Sequence, residues 1–238
     1  MAERRNIPWQ TVVVEALAIV VSILLAFSID AWWTERKERD IEHAALLELR
    51  SDLVESRDQL ANVLRSLESA REQFFHFQSS TPEDLVETDP EQVRWIITGL
   101  VKNHTFDPVT ATFDALANDG RLGLISDPRL LRQLSRWQRD LDNIVDISFE
   151  LRAESVLVRR AMQAHGGPFH RWQRGLDDLE VLPRPDGETL ANLRRDEDFM
   201  GTARAHQYAL AVYIGSLRSL AAVLDSIVEL LDEITTEG

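Results

Sequence analysis

The sequence predicts an all-α protein: an N-terminal transmembrane helix followed by an elongated helical bundle of about three long and two short helices. Three observations predict it. Residues 7–33, IPWQTVVVEALAIVVSILLAFSIDAWW, are apolar over the thickness of a bilayer. Three later runs place apolar residues at alternating spacings of three and four, the period of one helix face. No stretch shows the period-two alternation of a half-buried strand.

The organisation read from these signals is a short tail at 1–8, a membrane-spanning helix at 9–33 and a bundle domain at 34–238. In the apolar stretch, Trp9 precedes the run and Trp32 and Trp33 follow it. From Trp9 to Trp32 a helix advances about 34 Å at ~1.5 Å per residue, which sets an indole in each interface of a ~30 Å hydrocarbon core. A cleavable signal peptide is the competing reading, with Ala26-Phe27-Ser28 as a small-x-small site. The length of the run and the acid within it favour an uncleaved anchor.

That acid is Glu15. A charge well inside a bilayer costs ~2.5–3.5 kcal/mol on insertion scales, so the side chain must be neutral, paired or facing protein. At 100° per residue Glu15, Ala18, Ser22, Ala26 and Asp30 share one stripe, of the small and polar kind that admits close helix–helix contact in lipid. The candidate site is therefore an intramembrane helix contact made by these five residues, with a second copy or another membrane protein as partner. Snorkelling of Glu15 to the interface is the alternative.

Beyond the span, Leu46, Leu49, Leu53, Ser56, Leu60, Val63, Leu67, Ala70, Phe74 and Phe77 keep the 3,4 register of a coiled-coil seam. The first long helix thus runs to about 78. No Gly or Pro lies between Trp9 and Ser80, so span and seam can form one rod. Three Asp-Pro pairs, Asp89-Pro90, Asp107-Pro108 and Asp127-Pro128, each set a capping carboxylate before a residue preorganised for the first helical position. They predict short helices at about 90–103 and 108–118, covering one end of the bundle, and a long helix at about 128–165. Asp89 and Gln92 fit a capping box, and Gly120 a helix stop. The seam of the long helix is Leu134, Trp137, Leu141, Ile144, Ser148, Leu151, Ser155, Val158 and Met162. Residues 166–188, with their Gly and Pro, read as irregular. A last long helix at about 188–234 has the seam Ala203, Gln207, Leu210, Ile214, Leu217, Ala221, Leu224, Val228 and Leu231.

Composition narrows function. The net charge is −14, of which the first 33 residues carry −1. An acidic bundle opposes nucleic acid and anionic lipid surfaces, whose binding needs Lys and Arg. The chain has no cysteine, which excludes disulfides, thiolate nucleophiles and zinc–thiolate sites. His165 and His170 flank a Gly-Gly-Pro turn without the ligand spacing of a metal motif. No nucleophile elbow is present. Neither a catalytic residue, a cofactor nor a metal is expected, and no enzymatic activity. Trp95, Trp137 and Trp172 read as packing residues.

Residues 15–39, Glu15 followed by the IVVSILLAFSIDAWWTERKER segment, resemble the start of an uncharacterised family of bacterial single-pass membrane proteins. Residues 110–134, TATFDALANDGRLGLISDPRLLRQL, are similar to that family's turn between helices. Ser22 stands where such proteins usually have Gly. The resemblance implies a bacterial plasma-membrane location and the topology above, and supplies no activity. The expected function is that of a membrane-anchored scaffold or adaptor acting through protein–protein contacts. The alternative is an extracytoplasmic sensory or ligand-binding module that signals through a partner. Arg4 and Arg5 before the span, against Arg36, Lys37 and Arg39 after it, leave orientation nearly balanced. The expectation is an inside N-terminus and a periplasmic bundle.

Overall fold

The computed structural model describes residues 9–165 and 185–237, whose regular elements are all helices, with no strand among them. The elements are α1 (Trp9–Ser79), α2 (Pro82–Val86), α3 (Pro90–Leu100), α4 (Ala111–Asn118), a 3₁₀ turn (Arg121–Leu124), α5 (Pro128–Gln163), α6 (Gly187–Arg195) and α7 (Glu197–Glu237). The tail at 1–8 and most of the irregular stretch, with His170 and Trp172, lie outside the described residues.

Helix α1 is continuous for 71 residues, as expected where no Gly or Pro interrupts the ladder. Its two parts have opposite surroundings. Residues 17–40 are exposed at every position, whereas all ten seam positions from Leu46 to Phe77 are buried. The 13 helical steps from Trp33 to Leu46 thus form a stalk of about 20 Å between the apolar segment and the core.

The bundle is up-down-up-down, and its second leg is composite. Pairs along α1 and the following chain meet in antiparallel order: His76 with Gln92 (3.0 Å), Gln73 against Gly99, Ser66 with His104 (3.5 Å), Ser56 with Val109 (2.8 Å) and Asp52 with Thr112 (2.9 Å). Thus α3, the irregular residues 101–110 and α4 together descend α1, and the short helices do not cap one end. Helix α5 then rises and α7 returns. The return is marked by Phe77 against Phe199, Glu68 with Arg218 (2.6 Å) and Arg50 with Asp232. On the α5 side, Gln133 meets Ser226 (3.4 Å) and Arg129 meets Glu233 (3.2 Å). Helix α7 packs against both α1 and α5, which make little contact with each other. It therefore buries a wider face than one seam, including Tyr213, Leu220, Val223 and Ile227 beside the 3,4 positions.

Local signals decide some starts and tertiary contacts others. Asp127 caps α5 by accepting from the Arg129 N–H (2.6 Å), and Asp89 caps α3 by accepting from Glu91 and Gln92 N–H groups (2.9 and 3.0 Å). No reciprocal capping box forms at Asp89, because the Gln92 amide turns to His76. Helix α3 ends at Leu100 and not near 103. The helix expected at 108 begins only at Ala111, and Asp107 caps nothing there. The cap comes instead from α1: Asp52 accepts from the Thr112 N–H, and Ser56 exchanges hydrogen bonds with both backbone groups of Val109 (2.8 and 3.3 Å). These contacts hold Pro108 and Val109 out of the helix. Tyr213 Oη likewise accepts from the buried Phe106 N–H (3.0 Å). Gly120 has φ +67°, the left-handed stop expected after α4.

Two departures concern helix number. The five-residue α2 is closed by a capping box between Thr81 and Asp84. The last helix is divided at Asp196, whose extended backbone and carboxylate, accepting from Asp198 and Phe199 N–H groups (2.9 and 3.1 Å), start α7 afresh. Helices α2 and α6 press closely at Gly187, where a Cβ would lie 2.4 Å from the carbonyl oxygens of Leu85 and Val86.

Gly187→Ala should therefore cost about 1–3 kcal/mol in chemical denaturation, the range for overpacking. Gly201→Ala, with nothing within 4 Å of the added carbon, should be neutral or stabilising. Equal stabilities of the two variants would contradict the α2–α6 contact.

Candidate functional site

Two places carry side chains that the packing of the bundle does not account for. The first is the apolar part of α1. Twelve large hydrophobic residues, from Val13 to Trp33, are 44–68% exposed and point to every side of the helix. Glu15, Ala18, Ser22, Ala26 and Asp30 are all exposed and share one face of it. The Ser22 hydroxyl donates to the Ala18 carbonyl (2.8 Å), so it is satisfied within its own helix and offers a neighbour little beyond small size. Among the described residues nothing packs against this face. Among the described residues two helices are long and apolar enough to cross a membrane. The window in α1 has mean hydropathy 1.9 and no buried part, and that in α7 has 1.5 with 44% buried. The apolar side of α7 already forms the bundle core.

The second place lies where the core divides. One cluster, nearer the exposed apolar segment, runs from Leu46 to Ala70 on α1, and a second begins at Phe74. At their junction the buried residues are polar: Gln73, Ser155, His206 and Gln207. Ser155, at a seam position, donates to the Arg152 carbonyl (2.9 Å) and accepts from Asn103 Nδ2 (3.0 Å) and Arg159 Nη2 (3.1 Å). Its hydroxyl is thereby saturated, and it fixes two donors from different elements. Beside them opens a cleft of about 330 Å³ lined by Thr98, Val101, Lys102, Asn103, His104 and Arg159.

His206 is fully buried, and neither ring nitrogen has a hydrogen-bond partner among the described residues. Burial lowers its pKa from about 6.5 to about 4, assisted by the Arg159 charge. The Lys102 backbone acts against the shift without reaching hydrogen-bond geometry. The imidazole is therefore neutral at physiological pH. Sequence reading missed it because it sits one position off the α7 seam. The wide buried face of α7 was the signal that could have found it.

The remaining sequence candidates divide plainly. Trp137 is buried edge-on to Phe113 at 5.4 Å between centroids, whereas Trp95 is part exposed beside His76. His165 pairs with Asp196 (2.7 Å). The Asp196 carboxyl is held below its ordinary range by the Phe199 N–H and then by His165. Among the described residues no group of three or more His, Asp or Glu could hold a metal ion. No family model, no curated protein and no solved structure matches this chain, so its class rests on fold and residues. It is an all-helical protein with an exposed apolar N-terminal helix.

The buried imidazole has a measurable consequence. Between pH 6.5 and about 4 the unfolded chain takes up a proton at His206 that the folded chain refuses. Stability should accordingly fall as pH falls through that window, by up to about 3 kcal/mol from this group. His206→Leu should flatten this slope in denaturation at stepped pH. An unchanged slope would mean that the ring titrates normally in the fold.

Proposed function

We propose that this chain is a single-pass, membrane-anchored scaffold or adaptor that acts through protein–protein contacts in a bacterial plasma membrane. The observation that carries the reading is the exposed apolar sleeve of α1, continuous with the helix that founds the bundle core. Fully burying one such side chain is worth ~1.5–3 kcal/mol. Twelve of them around one helix favour lipid strongly over water. Trp32 and Trp33 suit one interface, and the stalk beyond them holds the bundle clear of the membrane. Helix α7 stays in the bundle, since its apolar face is already covered by α1 and α5.

Orientation follows the basic pair ahead of the apolar stretch, with Arg4 and Arg5 inside and the bundle in the periplasm. Two surfaces suit contact with other proteins. One is the stripe of Glu15, Ala18, Ser22, Ala26 and Asp30, where a protonated Glu15 both donates and accepts. The other is on α5, where Val145, Phe149 and Val156 are exposed at spacings of four and seven, with Arg152 over the Phe149 ring at 5.7 Å.

Single-cysteine variants of this cysteine-free chain test the reading. Crosslinks scanned over residues 12–30 in native membranes should peak at 15, 18, 22 and 26. Glu15→Gln should preserve them and Glu15→Leu weaken them. A cysteine at the exposed Tyr208 should react with a membrane-impermeant reagent from the periplasmic side. Protection there would reverse the orientation. Absence of any crosslink, with Glu15→Leu behaving as wild type, would remove the intramembrane contact.

A further inference from the structure

We infer that the end of α3, where it meets Gln73 of α1 and His206 of α7, is a hydration site that holds internal water in the core of the bundle. The inference does not rest on the adaptor reading, since it concerns side chains between the two apolar clusters. Three of them are buried with polar atoms that have no hydrogen-bond partner among the described residues: Gln73 at Oε1, His206 at both ring nitrogens and Gln207 at both amide atoms. They share one level of the core. Across α1 and α7, Phe77 meets Phe199 and Glu68 meets Arg218, so Gln73 and residues 206–207 fall between the same two contacts. A buried polar atom without a partner keeps the full cost of leaving water, and such atoms are paired as a rule. Both donors and acceptors are present here, so the bridging species must offer both. Water is the smallest molecule that does.

The backbone brings these atoms to the end of α3. Gly99 lies so close to α1 that a Cβ on it would collide with Gln73 Cβ and Oε1. The last turn of α3 therefore reaches the unpartnered oxygen, while the Gln73 nitrogen is occupied by Ser69 (3.3 Å). Helix α3 stops at Leu100, and the final carbonyls of a helix have no partner within it. Two residues on, the Lys102 backbone acts on His206 as an acceptor, yet falls short of hydrogen-bond geometry. A polar contact too long to be direct is the place for a bridging water. The His206 ring is neutral, so one nitrogen donates and the other accepts. Water serves both.

A route to bulk solvent adjoins the site. Lys102 and Arg159, which both act on His206, also line the cleft of about 330 Å³. Internal water can thus exchange without separation of the long helices. His206 itself is wholly buried, which restricts the occupant to the size of water. Gln207, one residue on, presents a donor and an acceptor at the same level and extends the hydrated layer around α7. Ser155 marks the contrast. Its hydroxyl is saturated within the protein by Arg152, Asn103 and Arg159 and needs no water.

Oxygen-17 magnetic relaxation dispersion on the full chain in nanodiscs counts long-lived internal water. His206→Leu and Gln73→Leu should each lower the count by at least one molecule per chain. Arg160→Gln, at an exposed position, should leave it unchanged. Should either apolar variant fail to fold, the unsubstituted chain still decides. Its His206 ring N–H should show cross-relaxation to water with the sign of a bound molecule. Counts unchanged in both apolar variants overturn the inference. So does a His206 ring N–H found bonded to another group of the protein, which would make the layer dry. An equal fall in Arg160→Gln would show a general loosening and refute a local site.

Discussion

Everything in this fold depends on one constraint, the continuity of α1. A helix kinks sharply only where its ladder of hydrogen bonds is interrupted, and α1 has no Gly or Pro that would interrupt it between Trp9 and Ser79. The apolar segment and the first helix of the bundle are therefore one continuous element. What changes along the helix is the environment that its side chains demand. Up to Trp33 they are apolar on all sides, and from Leu46 on one side only. The first pattern has no solution inside a bundle of this size, and the second requires one.

The other helices answer that demand. Helix α7 covers the α1 seam and is itself covered by α5, which is why it is the most broadly buried element. The descending leg is held differently. Its two helices are separated by the irregular residues 101–110, and three backbone donors between Phe106 and Thr112 are satisfied by side chains of the longer helices. Asp52, Ser56 and Tyr213 each accept from a backbone N–H of this leg. A leg fastened by side chains leaves irregular backbone and polar groups at the level of Asn103, and there the two apolar cores part beside a cleft.

The long helices were legible in the sequence because their signals are periodic and local. Every position of the Leu46–Phe77 seam is buried, and Leu141 and Ala221 are the part-exposed members of the other two seams. Caps were legible where the capping residue adjoins its helix, as with Asp89 and Asp127. They were not where the acceptor comes from far away. Asp107 looks as good a cap as Asp127 on paper, but Asp52, 60 residues upstream, takes the N–H group at the start of α4. The break at Asp196 carried a readable sign, an Asp before two acids of a first helical turn, that was masked by the apolar register continuing past it. Of the small and polar stripe, helical geometry accounts for the shared face of Glu15, Ala18, Ser22, Ala26 and Asp30. A partner for that face cannot be written in the period of one helix.

The most direct test of this account is a spin-label accessibility scan along α1, from residue 13 to residue 53, with the full chain in a lipid bilayer. The account predicts high oxygen and low nickel-chelate accessibility from 17 to 29, with a dip on the Glu15–Ser22–Ala26 face. From 36 to 44 the preference should reverse on all sides, and Leu46, Leu49 and Leu53 should be closed to both reagents. Nickel accessibility throughout 17–29, or an interruption of helical periodicity between Trp33 and Leu46, would contradict a single rod that is anchor at one end and core at the other.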